Sequence, residues 1–189
     1  MTYLEVLTDI CSQVADPDLD TYKDRAKDHF LRAISMLINE NKYSERDIPG
    51  FIKTKTTMSF AGGLEDINSL KVFKILDLYL PPGTDKKVII TFQETSELNK
   101  ISSIKTLQPT ANDLFIYLEG NTLKAYTGST PIFTLGTDKL TMKYIEDIDD
   151  NAWTDSTNLQ DSSNFQLSYT FTRTCIDIAS KTLLNEVKL

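Results

Sequence analysis

Apolar residues recur at helical spacing in the first forty positions of the chain. Thr2 and Glu5 have the spacing of a capping box, in which each side chain satisfies a backbone N–H of the first turn. The apolar positions that follow stop at Asp16-Pro17, which ends the predicted helix. A second helix is expected from about residue 20 to Glu40, with an apolar face formed by Tyr22, Ala26, Phe30, Ala33, Ile34, Leu37 and Ile38.

The last part of the chain predicts one long helix. Ser162 or Ser163 is the expected N-cap, because Gln166 stands at capping-box distance from Ser163. A continuous apolar stripe and a shorter second one make this helix wider than the roughly 100° face that a helix needs to cover its own small domain. The helix therefore either completes a monomeric three-helix core or, as its width favours, shares a face with a neighbouring subunit. The stripes are Phe165, Tyr169, Thr172, Ile176, Ala179, Leu183 and Val187, and Phe171, Cys175 and Ile178.

Between these helical ends the chain alternates polar and apolar residues and turns often. All seven glycines lie between Gly50 and Gly136, and glycine and proline cost about 1 and 3 kcal/mol inside a helix. Gly120-Asn121 between two apolar runs predicts a two-residue hairpin loop. Strands are expected over residues 51–60, 70–80, 87–92, 113–119, 122–126 and 139–145, with a short capped helix over 95–101.

These patterns predict an α+β fold. The N- and C-terminal helices, residues 1–50 and 162–189, are expected to pack as a small bundle, with an inserted antiparallel β-domain, a sandwich or partial barrel, over residues 51–161. Residues 146–161 hold six acidic side chains and no Lys or Arg, which predicts a solvated acidic loop. Trp153 in this loop is expected either to pack against its own domain or to anchor a partner, a role in which Trp is enriched.

Composition and charge exclude several classes of protein. A net charge of −7 and a hydrophobic content of 40% are typical of a soluble globular domain. So acidic a protein is not expected to have the broad cationic surface with which proteins wrap nucleic acid. An acidic protein surface repels the phosphate groups of nucleic acid, so nucleic acid could pass close to this protein without being bound. No apolar run approaches the roughly 20 residues of a membrane span, and the first residues lack the pattern of a secretory signal.

The sequence contains few residues that could form a catalytic or metal-binding site. The single histidine, His29, is expected to be hydrogen-bonded to water or backbone, and Cys11 and Cys175 to be buried free thiols, with a disulfide left open. Phosphate-binding, dinucleotide and nucleophile-elbow motifs are absent from the sequence, and the glycine-free acidic loop departs from a calcium-binding pattern. We therefore expect no enzyme activity, cofactor or metal. Hydrolase candidates by identity alone are Glu119, Glu146, Asp147, Asp149 and Asp150.

Four segments of the sequence resemble segments of a known protein family. Residues 1–10 (MTYLEVLTDI) and 30–39 (FLRAISMLIN) resemble the first two helices of head–tail adaptor (connector) proteins of short-tailed double-stranded DNA bacteriophages. Residues 114–126 (LFIYLEGNTLKAY) and 140–144 (LTMKY) are similar to their hairpin and closing strand, and the final helix matches in position and length. The similarity covers most of the chain and is one of layout.

The resemblance implies a structural virion protein at the head–tail interface, made in the host cytoplasm and serving DNA ejection. Such adaptors form a homo-oligomeric ring, expected here as a dodecamer, between the portal protein and the tail or nozzle proteins. Double-stranded DNA would pass through without sequence-specific binding. The interface residues implied for this chain are Trp153, Phe165, Tyr169, Ile176 and Leu183.

Two other functions remain open from the sequence. A β-sandwich module could bind a glycan or protein through Tyr117, Tyr126 and Trp153 as aromatic platform residues. A cell-wall hydrolase would depend on one of the candidate carboxylates.

Overall fold

A computed structural model of the chain describes residues 1–16, 19–58, 60, 64–80, 87–90, 113–127, 140–148, 153–161 and 166–188. The fold is α+β and divides into two compact units. The helical unit comprises Met1–Ile52 and Ile148–Leu189, and the β unit comprises Lys53–Asp147. The helical unit contains 16 acidic and 9 basic residues and the β unit 11 of each, so the net charge of −7 belongs to the helical unit.

The described residues of the helical unit form three α-helices: α1 (Tyr3–Ser12), α2 (Lys23–Asn39) and α3 (Tyr169–Val187). The predicted capping box of α1 is confirmed. Thr2 Oγ1 accepts from the Glu5 N–H at 3.2 Å, and Glu5 Oε2 accepts from the Thr2 N–H at 2.8 Å. A single-turn 3₁₀ helix at Pro49–Phe51 leads into the first strand.

The core of this unit lies where α3 packs against both α1 and α2. Each fully buried large aliphatic or aromatic side chain stabilises the fold by about 1.5–3 kcal/mol relative to leaving it exposed. The two apolar stripes of α3 therefore serve two neighbouring helices within the chain. Buried residues of this core include Val6, Leu7, Ile10, Cys11, Phe30, Ile34, Leu37, Ile38, Phe171, Cys175, Ile176, Ala179 and Leu183.

Helix α3 begins later than the sequence predicts. Its N-cap is Ser168, whose side chain accepts from the Phe171 N–H, and not Ser162 or Ser163. The N–H groups of Gln166 and Leu167 both donate to the Leu159 carbonyl. These two hydrogen bonds keep the backbone non-helical up to Ser168. The expected first turn, including Phe165, lies partly in residues 162–165, outside the described part of the chain.

Residues 148–161 belong to the helical unit, which corrects their predicted place in the β-domain. The first N–H groups of a helix have no partner within the helix. In α1 the Tyr3 N–H donates to the Thr157 carbonyl at 2.9 Å and the Leu4 N–H to the Asp155 carbonyl at 3.1 Å. Part of the acidic segment thus completes the N-terminus of α1.

The described strands of the β unit are β1 (Ile52–Met58), β2 (Leu64–Asp66), β3 (Val72–Tyr79), β4 (Lys87–Ile90), β5 (Asp113–Glu119), β6 (Thr122–Thr127) and β7 (Leu140–Glu146). They form two sheets, one with the strand order β1-β7-β3 and the other with the order β2-β6-β5-β4. The β3–β7, β2–β6 and β5–β6 pairs are antiparallel, as the predicted antiparallel domain requires, whereas β4 and β5 pair in parallel.

Two strand predictions can be compared closely. The β5–β6 hairpin is confirmed, with Glu119 opposite Thr122 and Gly120 at φ 58°, where glycine avoids the usual strain. The strand expected over 139–145 is β7, the central strand of its sheet, and it buries residues on both faces, Thr141 and Ile145 as well as Leu140, Met142 and Tyr144. Strand β2 was not predicted. The expected helix over 95–101 lies outside the described residues.

Candidate interaction surface

Trp153 is held in an aromatic cluster of the helical unit. Its ring centroid lies 5.2 Å from that of Tyr3, 6.3 Å from Phe30 and 6.1 Å from Phe51. The Trp153 side chain is half-buried, and edge-to-face pairs of this kind stabilise by about 0.5–1.5 kcal/mol beyond their area burial. Packing against its own unit is therefore its structural role. A partner could meet only the exposed remainder of the residue.

The residues named on the C-terminal stripe occupy different environments. Ile176 is 4% exposed and Leu183 is fully buried, so both belong to the core of the helical unit. Tyr169, the first residue of α3, is 56% exposed and presents a large aromatic surface to solvent. The extra apolar width expected of this helix is thus taken up largely by α1 and α2. Of the stripe residues predicted as interface and described here, Tyr169 is the accessible one.

Arg173 fixes the position of Tyr169. Its guanidinium carbon lies 5.5 Å from the centroid of the Tyr169 ring, and its Nε donates to the Tyr169 hydroxyl at 3.2 Å. Its Nη1 also pairs with Asp9 Oδ2 on α1 at 2.6 Å. The i, i+4 spacing of Tyr169 and Arg173 is visible in the sequence, but Asp9 lies 164 positions away.

His29 makes a contact that the sequence did not predict. The residue is 7% exposed, and its Nε2 lies 2.6 Å from Glu186 Oε2, near the end of α3. Arg25 pairs with the other carboxylate oxygen of Glu186 at 3.1 Å. The His29 hydrogen bond, opposed by desolvation and assisted by Arg25, lowers the pKa of Glu186. This cluster joins α2 to the end of α3.

Asp47 ties the segment before the β unit to the N-terminus of α3. Its carboxylate accepts from the Ser44 N–H and hydroxyl, both at 2.8 Å, and from the Ser168 hydroxyl at 2.7 Å. Burial opposes ionisation of this carboxyl, but the three hydrogen bonds outweigh it and lower the pKa of Asp47 below its ordinary value of 3.8. The turn over residues 44–47 therefore anchors a helix that is distant in the sequence.

We expect Asp47→Asn to destabilise the helical unit by about 1 kcal/mol at pH 7, because an amide cannot accept all three hydrogen bonds. A lowered carboxyl pKa stabilises the fold above the unfolded pKa, and this contribution disappears as the pH falls through the folded value. The difference from wild type in urea unfolding should therefore shrink between pH 7 and pH values near 3. The exposed Asp20→Asn serves as the control. A difference independent of pH would contradict the role of the ionised carboxylate.

Cys11 and Cys175 are free and buried, as expected, and form no disulfide with each other. Burial raises the pKa of the Cys11 thiol to about 11, with Asp16 adding to the shift, and raises that of Cys175 to about 12. Because the thiolate is the reactive species, we expect neither thiol to react with iodoacetamide in the native protein at pH 8. Both should react in urea, as counted by mass spectrometry. Rapid native labelling of Cys175 would contradict its burial.

Two of the candidate hydrolase carboxylates, Glu119 and Glu146, lie beside lysine side chains. Glu119 pairs with Lys124 across the β5–β6 hairpin, and Glu146 lies 3.8 Å from Lys53. Asp149 and Asp150 lie outside the described residues. Among the residues that are described, no group of three or more His, Cys, Asp or Glu side chains could hold a metal ion.

None of the helices in the described ranges is long and apolar enough to cross a membrane. No protein-family model matches the sequence, and no curated protein matches it either.

Proposed function

We propose that this chain is a non-enzymatic structural subunit of a tailed-phage virion, forming a ring between the portal and the tail and extending the DNA channel. The observation that carries the proposal is the discontinuous helical unit. Helices from both ends of the chain fold together, and the β unit is inserted between them. This is the layout of the head–tail adaptors that the sequence resembles.

The distribution of charge supports the proposal. A ring of identical subunits uses heterologous contacts, in which two different surfaces of each copy meet. The acidic helical unit and the neutral β unit supply two surfaces of different charge. An acidic subunit also repels phosphate, which suits passage of double-stranded DNA without binding. Like-charged subunits repel each other, so ring assembly should depend on salt or on alignment by the portal.

Tyr169 is the residue that we assign to contact with the portal, a tail protein or the next copy. It is exposed, aromatic and held in place by Arg173, as suits an interface anchor. Ile176 and Leu183 would act indirectly, by fixing α3 against α1 and α2.

The experiment is co-expression with the portal protein of the same phage, followed by native mass spectrometry and imaging. We expect a closed ring, a dodecamer, bound to the portal. Tyr169→Ala should weaken this association without changing thermal stability. Thr170→Ala, at the adjacent exposed position, is the matched control. A monodisperse monomer that ignores the portal across a range of salt concentrations would overturn the proposal.

The alternative function, a glycan- or protein-binding β module, gains no specific support. Its three platform residues belong to different units, because Trp153 packs in the helical unit whereas Tyr117 and Tyr126 lie on β5 and β6. A glycan array with the purified chain would test it directly.

A further inference from the structure

Strand β1 forms one edge of the sheet that has the strand order β1-β7-β3. Strand β7 pairs with one side of it. Within the described ranges, no strand pairs with the other side, and no loop outside the sheet hydrogen-bonds to the backbone of residues 53–57. An edge strand presents a row of unpaired N–H and C=O groups, to which an extended segment can add as a further strand. Strand β1 is therefore open to such pairing.

The other sheet edges are less suited to an added strand. Strand β2 has three residues and β4 has four. Strand β3 has eight residues, but its register with β7 shifts twice, between Val72 and Lys74 and between Ile75 and Asp77. Such irregularities twist an edge away from a flat partner. Strand β1 spans the seven residues Ile52–Met58, which is long enough for several hydrogen bonds to a neighbouring strand.

The side chains of β1 are mostly polar and accessible. Lys53 and Lys55 stand two positions apart, so they lie on the same face of the sheet. Lys53 lies 3.8 Å from Glu146, and Lys55 has no ion pair with any residue that the structure describes. Threonine favours extended backbone because its branched side chain fits the pleated surface of a sheet. The exposed residues of β1 are Lys53, Thr54, Thr56 and Thr57.

We propose that the free edge of β1 binds an extended acidic segment of another protein as an additional strand. Hydrogen bonds between the two main chains would supply affinity, and alternate side chains would supply specificity. Acidic residues at every second position of the bound segment would lie beside Lys53 and Lys55, and opposite charges on adjacent strands attract. Pairing between two copies of β1 would bring lysines together, so the same charges disfavour a second copy. The inference does not depend on the proposed ring.

The test uses synthetic peptides and the full chain, at protein concentrations where sedimentation shows a monomer. The probe is a fluorescent peptide of about eight residues, the length of an ordinary strand, in which Glu and Thr alternate and both ends are blocked. A comparison peptide carries Lys in place of every Glu. By fluorescence anisotropy, we expect the Glu peptide to bind about tenfold more tightly than the Lys peptide.

Two N-methylated forms of the Glu peptide test for pairing through the backbone. The N–H groups of a strand point alternately to its two sides, so only every second one can donate to β1. One form is methylated at the Glu residues and the other at the Thr residues. We expect one form to lose about tenfold or more in affinity and the other to bind like the unmodified peptide. Retention of full affinity by both forms would overturn the proposal, because main-chain hydrogen bonds would then not be used.

A charge-reversed double variant tests the role of the lysines. Lys53→Glu combined with Lys55→Glu should raise the Kd of the Glu peptide about tenfold and make the Lys peptide the tighter ligand. The matched control combines Lys181→Glu with Lys188→Glu, which changes the net charge equally at exposed positions of α3 and should leave the Kd of the Glu peptide unchanged. Equal weakening by the two double variants would overturn the proposal, since general attraction by charge would then explain the binding.

Nuclear magnetic resonance of the wild-type chain locates the bound peptide without any substitution, so the test does not depend on the folding of a variant. The amide signals of residues 53–57 should shift when the Glu peptide is added. Shifts confined to residues outside β1 would overturn the proposal. Raising the concentration of the chain alone tests the other occupant. Self-association that itself shifts the amide signals of residues 53–57 would make the occupant a second copy and refute an acidic partner.

Discussion

Leu183→Asp is expected to prevent the helical unit from folding at neutral pH. Leu183 is fully buried in α3, on the side that packs against the other helices of the unit. Burying an unpaired carboxylate costs several kcal/mol, a large part of the roughly 5–15 kcal/mol that stabilises a typical domain. Far-UV circular dichroism of the purified variant should show loss of cooperative urea unfolding.

Val187→Asp is the matched control for this substitution. Val187 lies one turn further along the same stripe but is 37% exposed, so its replacement should change stability by about 0.5 kcal/mol or less. The pair also separates a core role from an interface role. If Leu183→Asp folds with wild-type stability and only loses ring assembly, Leu183 contacts a neighbouring molecule and the packing described here is wrong.

Trp153→Ala is expected to destabilise the helical unit by about 3 kcal/mol, at the low end of the range for large aromatic deletions because the side chain is only half-buried. The loss would come from the cavity left among Tyr3, Phe30 and Phe51. Urea unfolding followed by circular dichroism measures this effect, since the substitution removes the only tryptophan of the chain.

Trp153→Phe keeps an aromatic ring in the cluster and should recover more than half of the lost stability. The other possible role of Trp153, as an anchor for a partner, leads to the opposite pattern. In that case Trp153→Ala would leave the free energy of unfolding nearly unchanged and reduce association with the portal.

The local signals in this sequence predicted the local structure well. Thr2 and Glu5 form the expected capping box, and Gly120-Asn121 forms the expected hairpin loop, because in both cases the interacting groups are a few residues apart. The start of α3 was mispredicted for a physical reason. Ser163 and Gln166 have capping spacing, but the Gln166 N–H donates to the carbonyl of Leu159, which precedes both residues, and so is not available to a cap at Ser163.

The contacts that form the candidate surface join residues that are far apart in the sequence, so local residue spacing could not predict them. His29 meets Glu186 across 157 positions, and Asp9 meets Arg173 across 164. The pattern of α3 showed which residues are apolar, but it could not show that α1 and α2 together cover Ile176 and Leu183 while leaving Tyr169 exposed. Trp153 was ambiguous for the same reason, since its aromatic neighbours come from three other segments.

The division of the helical unit between the two ends of the chain has a consequence for biosynthesis. Helices α1 and α2 leave the ribosome first, and α3 follows only after the whole β unit has been translated. At about 5–20 residues per second, several seconds separate the two events. During that interval the apolar sides of Phe30 and Ile34 lack α3, so the nascent polypeptide must avoid aggregation, alone or with a chaperone, until translation ends.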